Sequence, residues 1–329
     1  MSKSMRKKQL GRLFRDNNSV LILVILLFVA FVFIDGFTNS FYNVFLYTAM
    51  YGACCLGLAL VMITGNIDLS VGYMAATCGV VLVTLFNVVY AASGSAVLGL
   101  VVGLVAAVAT GFILGAFNGF LVTKVGISPL IATIATNYIY QGIVFNWART
   151  SYPVDSKDLI QTIAKYKIFG LKWLTPMVIF FVVLIALAFW WMYRTRFGNR
   201  LHMVGDNPEA AEYAGISVSN TVWITYIICG VLAAITGFLM VSFSGYTTYT
   251  QGDYLGTFPI SCCVVGGIKM TGGKGTAVHV LLGVLIMRTI ATMMSAMFLN
   301  AYRVNLITGL VLIAVLILDH FTSVKKKGA

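Results

Sequence analysis

Four stretches of the chain combine residue types and spacings that have chemical consequences. The first is Thr64-Gly65-Asn66-Ile67-Asp68-Leu69-Ser70-Val71-Gly72. Gly65 and Asn66 are suited to end one helix, and Asp68 or Ser70 to cap the next. A carboxylate at such a break serves either an ordinary tight turn or the lining of a polar path through a bundle. The second stretch is Arg194-Thr195-Arg196-Phe197-Gly198-Asn199-Arg200, continuing through Gly205 to Ile216. Asp206 or Asn207 caps a short polar helix there. Pro208 sits in its first turn, Glu209 and Glu212 are its acids, and Gly215 ends it. So short a helix is marginal in water. It needs either the inner face of its own bundle or another protein to hold it.

The third stretch, Gly266-Gly267-Ile268-Lys269-Met270-Thr271-Gly272-Gly273-Lys274-Gly275, has the glycines and lysines of a phosphate loop but not their order. Thr276 follows Gly275, and no strand precedes the run. The chain therefore offers no nucleotide site, and any use of ATP belongs to a partner. The fourth is the basic segment from Arg149 to Trp173. Residues 156–167 read as an amphipathic helix with Leu159, Ile160, Ile163 and Tyr166 on its apolar side, ended by Gly170. Lys157, Lys165 and Lys167 then face either lipid phosphates or an acidic partner surface. No paired carboxylates, nucleophile–base pattern or metal cluster accompanies these stretches, so no catalytic or metal site is expected. His202, His279 and His320 fall near span boundaries and read as interfacial. Cys54, Cys55, Cys78, Cys229, Cys262 and Cys263 lie in apolar runs and read as small fillers, not as disulfides.

The elements that position these residues follow from composition. Apolar residues make up 60% of the 329 and charged residues only 10%, where a soluble domain carries roughly 25% charged residues. Such a chain cannot clothe a globule in water, and its mean hydropathy of +0.93 fits lipid. A span needs about 20 apolar residues. Ten candidates run near 20–35, 44–64, 71–90, 96–122, 127–147, 174–193, 221–243, 258–268, 277–299 and 304–318. The eighth, opened by Pro259 and closed by Gly266-Gly267, reads as broken or re-entrant. The fold class is an all-α polytopic membrane protein with about ten transmembrane helices and one or two broken or re-entrant segments. In the fourth span Gly99, Gly103, Ala107, Gly111, Gly115 and Gly119 recur every four residues. That spacing permits close helix approach, and its drift around a 3.6-residue helix implies more than one neighbour.

The net charge of +12 bears on topology, since the cations flank apolar runs. With the N-terminus inside, fifteen Lys and Arg fall in inner segments and six in outer ones. Both termini are thus expected in the cytoplasm. The domain reading is a basic N-terminus (1–19), one transmembrane unit (20–320) with an outer segment (148–173) and an inner loop (194–219), and a basic tail (321–329). The apolar run after the basic start reads as an uncleaved first span. Arg288 lies within the ninth span, where a cation costs at least roughly 2.5–3.5 kcal/mol unless solvated or paired. It is expected to face a cavity or a carboxylate such as Asp68 or Asp253.

The run from Gly65 to Gly72 resembles the "GGIDLSVG" segment of the ribose-type sugar ABC importer permeases. Ala116-Phe117-Asn118-Gly119, residues 131–136, 194–199 and 205–216, and the glycines at 266, 267, 272, 273 and 275 resemble later stretches of that family, in family order, from about residue 40 to 320. Where the family has "GYELDAIA", this chain reads Gly252-Asp253-Tyr254-Leu255-Gly256-Thr257-Phe258-Pro259-Ile260-Ser261. The family's acidic positions fall on Gly256 and Phe258.

The resemblance implies a permease subunit in the bacterial inner membrane that moves a monosaccharide or small polyol by alternating access. Its partners would be a second permease copy or paralogue, a cytoplasmic ATPase that carries ATP and magnesium, and a periplasmic or lipid-anchored sugar-binding protein. Asp206, Asn207, Pro208, Glu209, Glu212 and Gly215 would couple to the ATPase, and Lys157, Lys165 and Lys167 would meet the binding protein. Asn66, Asp68, Ser70, Asn118, Asn137, Gln141, Asp253 and Arg288 are the candidates for the path. The mostly uncharged set suits a neutral, hydroxyl-rich cargo. An ion-coupled secondary transporter is the alternative, and it needs buried carboxylates that are few here.

Overall fold

A computed structural model describes residues 18–34 and 36–299 and positions 303, 304, 306, 307, 309, 310, 313 and 317. Nearly all of the basic start, most of the expected tenth span and the tail at 321–329 lie outside the described residues. The rest is almost wholly helical, as lipid demands of a chain that must satisfy its own backbone. The first half runs α1 (Asn18–Phe33), α2 (Phe37–Ser40), α3 (Tyr42–Ile63), α4 (Val71–Ser93), α5 (Ala96–Phe120, prolonged by a π turn at Leu121–Val125) and α6 (Pro129–Trp147). Then follow β1 (Tyr152–Pro153), α7 (Lys157–Lys165), α8 (Pro176–Arg194), α9 (Arg196–Asp206), α10 (Pro208–Tyr213) and α11 (Val218–Ser244). The described elements end with β2 (Tyr246–Thr247), α12 (Gln251–Tyr254), α13 (Phe258–Gly266) and α14 (Ala277–Ala296).

Among the described residues, six helical stretches are long and apolar enough to cross a membrane: 37–63, 71–93, 96–125, 176–194, 218–244 and 277–296. The expected count of about ten is not met, for identifiable reasons. Helix α1 is described over 16 residues, short of the about 20 a span needs, and most of the tenth span lies outside the described residues. Helix α6 has the length, but Thr133, Thr136, Asn137, Gln141 and Asn146 dilute its hydropathy. Helix α13 has nine residues, opened by Pro259 and closed by Gly267 at φ 101°, which matches the short, broken reading of that segment.

Helix α3 is the axis of the bundle. It is apolar all round, is buried along most of its length, and packs on α8, α11, α13 and α14. The small-residue stripe of α5 does meet two neighbours. Gly99 and Gly103 lie against Phe86 and Leu82 of α4, whereas Gly111, Gly115 and Gly119 lie against Gly230, Tyr226 and Trp223 of α11. A β-carbon on Gly111 would stand 2.3 Å from the Gly230 carbonyl oxygen, and one on Gly230 would stand 2.0 Å from that of Gly111. The two backbones therefore touch. All six cysteines are buried and free.

Helix α11 fixes the two ends of the molecule. Helix α10 precedes its first turn. Helix α7 packs at its last, where Gln161 Nε2 donates to the Ser244 carbonyl at 3.2 Å. Helix α7 is amphipathic as expected, with Ile160 and Ala164 buried, but it stops at Lys165. Gly170 belongs to a separate 3-10 turn, and Tyr166 is exposed. After α11 the chain turns back into the bundle. Strand β2 pairs antiparallel with β1. Thr247 lies against Gly79, and Gly252 lies against Gly72 and Tyr73. The segment thus descends along α4 by about 10 Å, at 1.5 Å per helical residue.

Candidate functional site

Three polar clusters interrupt the apolar interior. The first closes the break between α3 and α4. Asp68 Oδ1 accepts from the Ser70 backbone N–H at 2.8 Å and from the Ser70 hydroxyl at 2.7 Å. Asn118, near the end of α5, donates to Ser70 Oγ at 2.7 Å and to Asp68 Oδ2 at 3.3 Å, and its carbonyl accepts from Tyr140 at 3.0 Å. Tyr226 of α11 donates to the Ile67 carbonyl at 3.0 Å. Asp68, Ser70 and Asn118 are all fully buried. Burial pushes the Asp68 carboxyl up, while the bonds from Ser70 and Asn118 oppose that shift. These three were candidates to line a path. The geometry instead makes them a knot that ties α4, α5, α6 and α11 around the broken helix, since every polar group in it is turned on another. Asn66 is apart from the knot. It donates to the Thr64 carbonyl and hydroxyl at 3.1 Å and finishes α3.

The second cluster lies on the descending segment. Tyr73 donates to Asp253 through a short hydrogen bond, and Gln141 of α6 donates to the Tyr73 hydroxyl at 2.7 Å. Asp253 is exposed and Gln141 half-buried. Asn137 is half-buried one turn earlier on α6.

The third cluster holds Arg288 and corrects the expectation of a cavity or a carboxylate. No carboxylate among the described residues reaches it. Its Nη1 donates to the Tyr254 hydroxyl at 2.8 Å. Its guanidinium carbon lies 4.4 Å from the Tyr47 ring centre, 5.4 Å from Tyr51, 5.9 Å from Phe258 and 6.0 Å from Tyr254. Desolvated cation–π contacts contribute about 2 kcal/mol or more, so the rings offset much of the burial cost. Arg288 is 8% exposed and its Nε has no partner. The aromatic partners come as two pairs four residues apart, Tyr47 and Tyr51 on α3 and Tyr254 and Phe258 across α12 and α13, and nothing in the linear spacing joins the two pairs to each other or to Arg288.

At the α10 end, Asn207 caps the short helix by accepting from the Ala210 N–H at 3.0 Å, Pro208 occupies its first turn, and Gly215 follows at φ 77°. The helix is held from behind by the bundle. Ala211, Leu201 and Val204 are buried. His202 Nδ1 is 2.9 Å from the Gly273 carbonyl, and the Gly273 N–H donates to Ile63 at 2.9 Å. A β-carbon on Gly205 would fall 1.8 Å from the Ile63 oxygen, and Asp206 lies against Gly273. The glycine run at 266–275 is therefore a seat for α9, a role its sequence did not signal. On the opposite face Asn207, Pro208, Glu209 and Glu212 are exposed, and Tyr213 is 93% exposed. At the other end of the molecule Lys157, Lys165 and Lys167 are all exposed.

A family model described as "Branched-chain amino acid transport system / permease component" matches residues 40–317. Among similar proteins, the autoinducer 2 import system permease protein LsrC of Enterobacter sp. (strain 638) is 34% identical over 264 residues, covering 80% of this chain and 74% of that protein. Its counterpart in Escherichia coli O9:H4 (strain HS) is 30% identical over 319 residues, covering 93% of this chain and 88% of that protein. The protein of that name from Shigella flexneri is 31% identical over the same length. No solved structure matches the chain.

Proposed function

Because the chain belongs to the branched-chain amino acid transport system / permease component family, and is thus a transport component and not an enzyme, we propose that it is the permease subunit of an ATP-binding-cassette importer. Its cargo is a monosaccharide or similar small polyol, moved by alternating access. The observation that carries this reading is the α9–α10 pair. One face is seated on the bundle, and the other presents Glu209, Glu212 and a bare Tyr213 to solvent. A short polar helix so placed is a handle for another protein. The motor it engages is a cytoplasmic ATPase, which holds the ATP and magnesium.

In this reading the α10 end and both termini face the cytosol. The α7 end faces outward, where its lysines receive a sugar-binding protein, periplasmic or lipid-anchored. A second permease, a copy or a paralogue, covers the free side of α6. That helix rests mainly on α4, and its exposed Ile139, Gly142, Ile143, Asn146 and Trp147 border a groove of about 550 Å³. Gln141, Asn137 and Asp253 belong to the path. Similarity to permeases named for autoinducer 2 import supports an importer over an ion-coupled carrier.

The test is association. Glu209→Lys with Glu212→Lys should leave the protein inserted and at wild-type abundance but remove ATPase co-purification. Retained co-purification would count against the handle.

A further inference from the structure

Asp253 and Tyr254 are neighbours in sequence held by opposite walls of the bundle. Asp253 is bound by Tyr73 of α4, which is bound in turn by Gln141 of α6. Tyr254 is bound by Arg288 of α14. The two attachments differ in what it takes to open them. Releasing Tyr254 would strip a buried cation of the one hydrogen bond it makes among the described residues, inside a cage of four aromatic rings; leaving a buried charge unpaired is strongly unfavourable. Releasing Asp253 frees an exposed carboxylate whose second oxygen already has no hydrogen-bond partner among the described residues. A hydroxyl-bearing solute would replace that bond with others of the same kind.

We propose that Asp253, Tyr73 and Gln141 form a hydroxyl-binding site for a neutral polyol, carried on a gate segment (251–258) that pivots about the Tyr254–Arg288 contact. The chemistry of the three groups fits that ligand. The carboxylate accepts from two adjacent hydroxyls, the Gln141 amide donates, and the Tyr73 phenol does either. The segment also packs on α4: Gly252 lies on the Tyr73 ring, and a β-carbon on Gly72 would stand 2.5 Å from the Gly252 carbonyl oxygen. Cargo that takes over Asp253 removes the hydrogen bond that fixes the segment to Tyr73 and leaves this packing as its hold on α4, while Arg288 keeps it attached to α14. This site deepens the importer reading above and rests on it.

The experiment uses wild-type and variant chains assembled with their ATPase and binding protein in proteoliposomes. The probes are tritiated D-ribose, D-xylose, D-galactose and myo-inositol. Wild type should accumulate at least one of them. Asp253→Asn should lower its uptake about tenfold, the effect of one hydrogen bond to a charged group, and Gln141→Leu severalfold, the effect of a neutral one; each should change the order of preference among the four. Asp253→Glu should restore most of the uptake. Tyr254→Phe should lower all uptake by a common factor without changing the order. Wild-type rates and preferences in Asp253→Asn would overturn the proposal. So would a uniform loss that Asp253→Glu does not rescue, because that is the mark of a merely structural contact. Should Asp253→Asn fail to insert, Gln141→Leu carries the same test. A wild-type protein that moves none of the four overturns the importer-of-polyols reading itself, and is told apart by the silence of the wild type.

Discussion

Among the described residues, Asp68 and Arg288 are the buried charged side chains, and the fold treats them differently. Asp68 is neutralised by donors from Ser70 and Asn118, within one loop and its nearest helix. Its position at a helix break was legible, because Gly65, Asn66 and Ser70 surround it. Its role was not, because the closing partners Asn118, Tyr140 and Tyr226 lie 50 or more residues away. Arg288 was legible as a problem and not as a solution, since its rings are gathered from three elements. Asp68→Ala should lower the unfolding temperature of the detergent-purified protein by the equivalent of about 1–3 kcal/mol, the cost of orphaning buried donors. Asp68→Asn, which still accepts from Ser70, should lose markedly less. Equal stability of the alanine variant and wild type would reduce Asp68 to an incidental cap.

At the scale of elements, the stripe on α5 was readable as one that touches more than one neighbour, because a four-residue repeat drifts around a 3.6-residue helix; that the neighbours are α4 and α11 is the structure's contribution. The short helices were readable for local reasons too: α10 from its cap, proline and terminal glycine, and α7 from its amphipathic pattern, although it stops at Lys165 and not at Gly170. The number of spans was not. Helix α6 is polar on the side that Asn137 and Gln141 occupy, and α13 is cut to nine residues, so neither obeys the length-and-hydropathy rule that counts spans in lipid. Two predictions belong here. Gly230→Leu places a bulky side chain where even a β-carbon meets the Gly111 carbonyl at 2.0 Å. It should cost more than the 1–3 kcal/mol typical of overpacking, read as lost folded protein after extraction, and normal yield and stability would refute the backbone contact. Replacing Lys157, Lys165 and Lys167 by Gln should weaken capture of the binding protein severalfold at low salt and little at high salt, where exposed charges are screened. Unaltered, salt-insensitive affinity would assign those lysines to lipid headgroups instead.

For the whole molecule, the parts form a sequence from end to end. The α9–α10 handle is seated, through α9, on the glycine turn at 272–273 and on the end of α3. Just beyond Ile63 the chain enters the Asp68 knot, and from there α4 rises past Tyr73 to the gate segment. Motion delivered to the handle thus has a packed route to Asp253 through backbone contacts at Gly205, Gly273 and Ile63. Everything proposed for this chain turns on energy arriving from a partner. The most direct measurement is uptake of the transported sugar by proteoliposomes containing this permease, with and without its ATPase, in the presence of binding protein and a protonophore. Accumulation should require both the ATPase and ATP and should persist when the proton gradient is collapsed. Accumulation against a gradient by vesicles holding this chain and no ATPase would contradict the account.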